Sequence, residues 1–480
     1  MSDPTFQVQK IPYDRSMLRP RILHIGFGAF AKAHVMVYHD ETLRLDPTDW
    51  GVVAARLNSG ADELTLLDQA GVVFTVGEMS DDDIMLREIG SVIRTLHPKR
   101  DGTSALLAQI ADPDMSVITL TITEKGYCLA NGRLDLNNPG IERDLAASGD
   151  PATAIGIIAR GLHLRKTAGL AGLTVLSCDN LPSNGRLCRQ AILDFADRLD
   201  PELAAWVDAE CRFPSSMVDR ITPAMTDQSQ QKLETALGRP DPNGILCEPF
   251  RQWVIEDSFA GNRPAWNLAG AQFVAEVAPF EEMKLRLLNG THSFLAYLGA
   301  LAGKETISDC MADPVFQTAA KRLMLEEQAP TLDVPAGIDV SSYADALIER
   351  FSNTALRHKT TQIASDGSQK LPQRLLAPIR QHLEANRAWP LAALAVAGWM
   401  HYCRGKSETG EFLPVNDPLA ARIAEFATQS DGPEYVSNML TLTAVFETEV
   451  VGSQDFTSRI HAAYAQLETD GVVKSLSTLS

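Results

Sequence analysis

The segment "KLRLLNGTH", residues 284–292, sets a lysine, an asparagine and a histidine in a run whose other members, apart from Arg286, are apolar or small. On a helix turning about 100° per residue, Lys284, Asn289 and His292 fall near roughly 0°, 140° and 80°, within one half of the cylinder. An amine that exchanges a proton, an amide that donates to an oxygen and an imidazole beside them suit proton transfer at a hydroxyl or carbonyl. The bland alternative stands next to this one. Lysines usually keep their heads in water, an Asn-Gly pair can end a helix, and a histidine can be a satisfied core residue. The spacing alone leaves both readings open.

A second pattern lies near the N-terminus. Gly26-Phe27-Gly28-Ala29-Phe30-Ala31 fits GxGxxA, a dinucleotide-binding fingerprint, after the strand-like "RILHIGFG" and before the helix-like "AFAKAHVMVYHD". Gly26 would permit the tight turn, Gly28 the approach of a pyrophosphate, and Ala31 close helix-to-strand packing; Phe27, Ala29 and Phe30 complete the loop. NAD-binding folds usually carry an acidic residue at the end of the second strand. Here "VVAARLNSGADE" ends in Arg56, with Asp62 further on. An arginine suits the 2′-phosphate of NADP; it suits a surface loop equally well, so NAD and NADP both remain open. A third pattern, "SCDNLPSNG" (177–185), follows the strand-like "LTVL". Asp179 and Asn180 then sit at a strand's C-terminal end, where open α/β sheets place their ligand crevice. An Asx turn before a helix explains the same residues.

These groups need elements to hold them. Strand-like runs at 21–28, 50–57, 71–76, 89–96, 115–123 and 173–178 are interleaved with helical patterns such as "ATAIGIIARGLHLRKTAG". That alternation predicts an α/β domain with a parallel-type sheet. Past about residue 280 the texture becomes helical, in "VFQTAAKRLMLEEQ", "SSYADALIERFS", "PQRLLAPIRQHLEANR", "PLAALAVAGWMHYC" and "DPLAARIAEFATQ". The expected division is a dinucleotide-binding Rossmann domain over 1–280 and a helical substrate and catalytic domain over 281–480.

The bulk numbers narrow the class. The chain has 480 residues, with 43 basic and 61 acidic side chains giving a net charge of −18. Such acidity argues against a nucleic-acid or membrane-surface binder. Seven cysteines without a CxxC read as reduced thiols in a cytoplasmic protein. The N-terminus lacks the basic start and apolar core of a signal peptide, and "PLAALAVAGWMHYC" is too short to span a bilayer. No HExxH or Cys/His zinc spacing occurs.

In order, "HIGFGAFAKAH", "TLTITEKGYC", "SCDNLPSNG", "FPSSMVDRITP", "EPFRQWVIEDSF", "FEEMKLRLLNGTHSFLAYLG" and "SDGSQKLPQR" run from about residue 20 toward the C-terminus. Together they resemble the long-chain mannitol dehydrogenase family, zinc-independent polyol and sugar-acid dehydrogenases. "EPFRQWVIEDSF" and "ALRHKTTQIASDGSQKLPQR" look most like its fructuronate reductase (mannonate oxidoreductase) branch. The resemblance implies an expanded Rossmann domain followed by a helical domain, NAD as cofactor, a sugar acid or polyol as substrate, and a monomer. It assigns Lys284, Asn289 and His292 to the catalytic centre with Asn180, and Asp219 and Lys370 to substrate binding. Thr123 and Asp179, after two strand-like runs, join Gly26, Phe27, Gly28, Ala29, Phe30 and Arg56 on the cofactor side. Two departures stand out. Mannitol-specific members have an arginine eight residues before the last lysine, where this chain has Gln362, and Ala31-Lys32 replaces the usual pair before "AH".

The chemistry expected is metal-free. Lys284 would be the acid/base; a free lysine titrates near about 10.4, and burial beside a positively charged nicotinamide would lower that. Asn180 and Asn289 would donate to the substrate oxygen, His292 would orient the lysine, and Glu124 would relay protons. A hexuronate needs a cation for its carboxylate, and Arg357, Lys359, Lys370 and Arg374 are the candidates. The expected reaction is interconversion of a keto-hexuronate and its aldonate; oxidation of a polyol at carbon 2 is the alternative.

Overall fold

The structure, a computed structural model, describes residues 7–81, 83–146, 149–335 and 337–479. The chain divides into two compact units, Met1–Ala278 and Pro279–Ser480.

The first unit is built on five strands: β1 (Arg19–Ile25), β2 (Trp50–Ala55), β3 (Val92–Leu96), β4 (Val117–Leu120) and β5 (Thr174–Ser177). Their order is β5-β4-β1-β2-β3, with every pairing parallel. The order reverses between β1 and β4, the switch point at which such sheets bind ligands. The strands read as near-continuous apolar runs because both faces are covered. Leu23, Ile25, Val53 and Ile118 pack on one side with the helices Ala154–Thr167 and Asn184–Leu199. Ile22, Val52, Ala54 and Val117 pack on the other with the helices Val35–Leu45 and Ala61–Gln69.

Three local features differ from the sequence expectation. The run at 71–76 forms the strand Phe74–Ser80, which belongs to a separate sheet and pairs antiparallel with Asp83–Ile89. The helix after β1 is broken at His34 into Ala29–Ala33 and Val35–Leu45; His34 has φ −114° and ψ −75°. The run at 115–123 stops being a strand at Leu120, and Thr123, with φ 62°, opens a short helical turn. A further three-stranded sheet, Ser216–Asp219, Gln252–Glu256 and Gln272–Val274, consists of strands too short to carry a periodic signal.

The second unit is helical. Its centre is Pro390–Tyr402, packed against Thr291–Leu301 and Gln454–Leu479. The helix Pro390–Tyr402 is apolar all round because nearly all of it is buried. Among the described residues three π-helical turns interrupt the regular helices: Lys284–Gly290, Leu323–Gln328 and Pro372–Leu376. The first packs on both of the others. Among the described residues no helix is long and apolar enough to cross a membrane. The seven cysteines are unbridged, and all but Cys128 are buried.

Candidate active site

At the switch point of the first unit, β1 ends in the glycine loop. Gly26 has φ 97°, and a Cβ there would lie 2.1 Å from the Thr121 carbonyl oxygen. The turn after β1 and the chain leaving β4 are therefore in such close approach that only glycine fits. Gly28 is different. A Cβ there would meet only the Gly26 oxygen, at 3.7 Å, and its φ of −107° suits any residue. The protein's own packing does not account for this glycine, and the space beside it is open to a group approaching from outside. Ala31 is fully buried, as close helix-to-strand packing requires. The loop thus fits a dinucleotide's pyrophosphate.

Asp179, just past β5, is turned inward. Its carboxylate accepts from the Ile122 N–H at 3.1 Å, the Thr123 N–H at 2.8 Å and the Tyr127 hydroxyl at 2.6 Å. Burial raises its pKa, while these donors oppose the shift. Asp179 therefore acts on the site by holding Thr123 in its left-handed conformation. Asn180 beside it is exposed. The buried Asn184 anchors the segment, donating to the Asp179 carbonyl at 2.9 Å and the Ser216 carbonyl at 2.7 Å. Asp219, 4% exposed, ends the strand Ser216–Asp219. Glu124 lies in the turn Thr123–Gly126 and is exposed.

In the second unit, Lys284 opens a π-helical turn, not the regular helix expected from its apolar spacing. The i→i+5 bonding widens the turn, so Lys284 and Asn289, five apart, come nearer to one face than a regular helix allows. The lysine is buried, with 7% exposure, and so is His292, while Asn289 is half-buried. Gly290 lets the turn close on its neighbour: a Cβ there would lie 3.0 Å from the Arg374 carbonyl oxygen. Arg286 binds the Thr331 carbonyl and Glu282, anchoring the turn by groups other than the candidate trio.

Around His292 the unit gathers groups that can carry positive charge. The His358 ring lies edge-on to His292 with centroids 5.0 Å apart, and Phe351 closes another side at 4.8 Å. Arg374 donates to the Ser293 hydroxyl at 3.1 Å and the Asn289 carbonyl at 3.4 Å. Lys370 donates to the carbonyls of Ile363 at 3.2 Å and Ser365 at 2.5 Å. The "SDGS" motif sets this lysine by close packing, since a Cβ on Gly367 would lie 2.3 Å from the Trp399 indole nitrogen. Burial pushes Lys370 down to about 8, with Arg374 adding to the shift. Burial likewise holds His292 well below the usual histidine range, reinforced by His358, Arg374, Arg350 and Lys370. His292 is therefore neutral at pH 7.

The basic run 357–359 splits. Arg357, at φ 43°, and Lys359 turn to solvent, with side chains 72% and 59% exposed, and share Glu305. His358 between them faces His292. The structure thus brings His358, Lys370 and Arg374 to the candidate trio and leaves Arg357 and Lys359 on the surface. His358 stands in the basic run of residues 357–359, and no strand periodicity marks it as the inward member, because the backbone is left-handed at Arg357. Among the described residues no group of three His, Cys, Asp or Glu side chains is arranged to hold a metal ion.

Comparison with known proteins follows the same division. A family model described as the mannitol dehydrogenase Rossmann domain matches residues 20–268, and one described as the mannitol dehydrogenase C-terminal domain matches 276–468. The D-mannonate oxidoreductase of Escherichia coli K12 is 46% identical, over 99% of this chain and 99% of that protein. The structure of Pseudomonas fluorescens mannitol 2-dehydrogenase, a ternary complex with NAD and D-mannitol, is 36% identical with a TM-score of 0.85, covering 99% of this chain and 97% of that one. A substrate-free D-sorbitol dehydrogenase structure is 31% identical with a TM-score of 0.91, covering 98% and 97%. With both family models matched in order across nearly its whole length, the chain belongs to the mannitol dehydrogenase family of oxidoreductases.

Proposed function

We propose that this protein is an NAD-dependent oxidoreductase that interconverts a keto-hexuronate and its aldonate, D-fructuronate and D-mannonate, without a metal ion. The observation that carries this reading is the cluster in the second unit of the buried His292 with the half-buried His358, Lys370 and Arg374. A neutral polyol has no need of the neighbouring cations Lys370 and Arg374, whereas a carboxylate needs a charged partner once it leaves water. The similarity to a D-mannonate oxidoreductase and the glutamine at position 362 support the same choice over a polyol 2-dehydrogenase.

When bound, the nicotinamide coenzyme supplies or takes up the hydride. Gly26, Phe27, Gly28, Ala29 and Phe30 hold its pyrophosphate, and Thr123, shaped by Asp179, borders the same crevice. Lys284 delivers a proton to the carbonyl oxygen during reduction and removes it from the hydroxyl during oxidation. Asn289 donates a hydrogen bond to that oxygen as negative charge develops on it. His292, kept neutral, orients the lysine without adding a competing charge. Asn180 and Asp219 are retained as substrate contacts on the strength of the resemblance. Arg374 and the protonated Lys370 neutralise the substrate carboxylate. The free, mostly buried cysteines support a cytoplasmic, reducing setting, and we infer a monomer, which light scattering at micromolar concentration tests.

The test is a substrate panel with purified protein: D-mannonate, D-mannitol, D-arabinitol and D-sorbitol in the oxidative direction. The expected outcome is a kcat/KM for mannonate at least tenfold above any polyol. A polyol turned over faster than mannonate overturns the assignment in favour of a polyol 2-dehydrogenase.

A further inference from the structure

The arginine at the end of β2 raises a question that its type alone does not answer. A free Arg56 would suit the extra phosphate of NADP. In the structure it is not free. Its guanidinium pairs with Glu63, in the first turn of the helix Ala61–Gln69. It also lies flat against Gly60: a Cβ on that residue would fall 2.2 Å from the guanidinium carbon. Gly60 has φ 84°, so the same glycine turns the chain and leaves the arginine its seat. The backbone beneath is fixed as well, the Arg56 N–H donating to the Leu96 carbonyl at 3.2 Å.

The two side chains are unequally placed. Arg56 is largely covered, with 24% of its side chain exposed, whereas Glu63 is 64% exposed. A partly exposed pair of this kind contributes little to stability, so stability does not explain why the arginine is seated there with the carboxylate outward. Recognition does. At the C-terminal end of the second strand a ribose hydroxyl seeks a carboxylate, and a 2′-phosphate seeks a cation. Here the cation is already neutralised and the carboxylate is the outward group.

Resting on the coenzyme reading above, we propose that Glu63, presented by Arg56 on its Gly60 seat, is the residue that selects NAD over NADP in this chain. Glu63 accepts a hydrogen bond from the adenosine ribose and repels a phosphate at the same place. Arg56 is a positioning residue. The acidic group thus comes from the helix seven positions after the strand-end arginine rather than from the strand itself.

Direct binding tests this without turnover. The full-length protein is titrated with NADH and with NADPH, following nicotinamide fluorescence, alongside Glu63→Gln and the double variant Glu63→Gln/Arg56→Ala. The wild type is expected to bind NADH at least tenfold more tightly than NADPH. Glu63→Gln is expected to shrink that ratio at least tenfold, chiefly by strengthening NADPH binding as Arg56 is released, and the double variant to lose the gain. Thermal unfolding of each variant reports that the fold is intact. Wild-type binding of NADPH as tight as NADH, or a Glu63→Gln ratio within twofold of wild type, overturns the proposal. Absence of binding by either dinucleotide overturns the coenzyme reading itself, and this proposal with it.

Discussion

Gly26 and Gly28 are two residues apart in one loop, yet their surroundings differ, and alanine at each is expected to separate folding from binding. At Gly26 a Cβ would sit 2.1 Å from the Thr121 oxygen on backbone at φ 97°. Left-handed strain of about 1–2 kcal/mol and overpacking of about 1–3 kcal/mol together predict a loss of roughly 2–5 kcal/mol. For a unit of this size that is a fall in melting temperature of roughly 5–15 °C. At Gly28 the added carbon meets nothing closer than 3.7 Å. Gly28→Ala therefore leaves stability unchanged or raises it by about 0.4–1 kcal/mol, through the less flexible unfolded chain. It obstructs the pyrophosphate instead. Loss of one charge-assisted hydrogen bond, about 1.5–3 kcal/mol, predicts NADH affinity lower by about ten- to a hundredfold. Scanning fluorimetry reports the first effect and NADH fluorescence titration the second. Gly28→Ala with NADH affinity within twofold of wild type, or with the same thermal loss as Gly26→Ala, would refute the division of labour.

Further outcomes are expected at Lys284, Lys370, Arg374 and Arg357. Lys284→Ala should reduce turnover by at least a thousandfold while NADH affinity stays within a few-fold; substantial residual turnover in stopped-flow assays rules out the acid/base role. Lys370 titrates near 8 in the folded protein against 10.5 for an ordinary lysine. Its folded pKa is depressed, so the unfolded chain binds more protons between those values, and this group makes stability rise with pH from about 8 to about 10.5. The same deprotonation removes a cation from the substrate cluster, so KM for mannonate should climb above pH 8. A flat KM from pH 7 to 9.5 argues that Lys370 does not meet the carboxylate. Arg374→Met should raise KM for mannonate at least tenfold, whereas Arg357→Ala, whose side chain is 72% exposed, should leave it within twofold; a reversed pattern would place the carboxylate at the surface run.

Much of the first unit was legible because strands buried on both faces must be written as unbroken apolar runs. β2, β4 and β5 lie within such runs, β1 begins two residues ahead of its run at 21–28, and the strand at 92–96 lies within another. The Gly26 and Gly28 spacing was equally plain, and at Gly26 a positive φ and a close approach exclude other residues. The candidate trio of Lys284, Asn289 and His292 rests on the resemblance to a family; helical geometry by itself leaves it ambiguous. The antiparallel pairing of Asp83–Ile89 escaped because its charged and apolar residues mix on a half-exposed sheet.

Residue type and order by themselves determined which groups were present and roughly which element carried each. Only tertiary structure decided which way they point. The π-helical turn at Lys284–Gly290 packs on two other π turns and closes against the Arg374 backbone, contacts distant in sequence. The left-handed backbone of Arg357 sends that arginine outward and leaves His358 to face His292. Gly60 and Glu63 together turn Arg56 from an apparent phosphate ligand into the support of a carboxylate. In each case a side chain's direction is set by atoms that local periodicity does not contain, so the chemistry was readable in the sequence and its orientation was not.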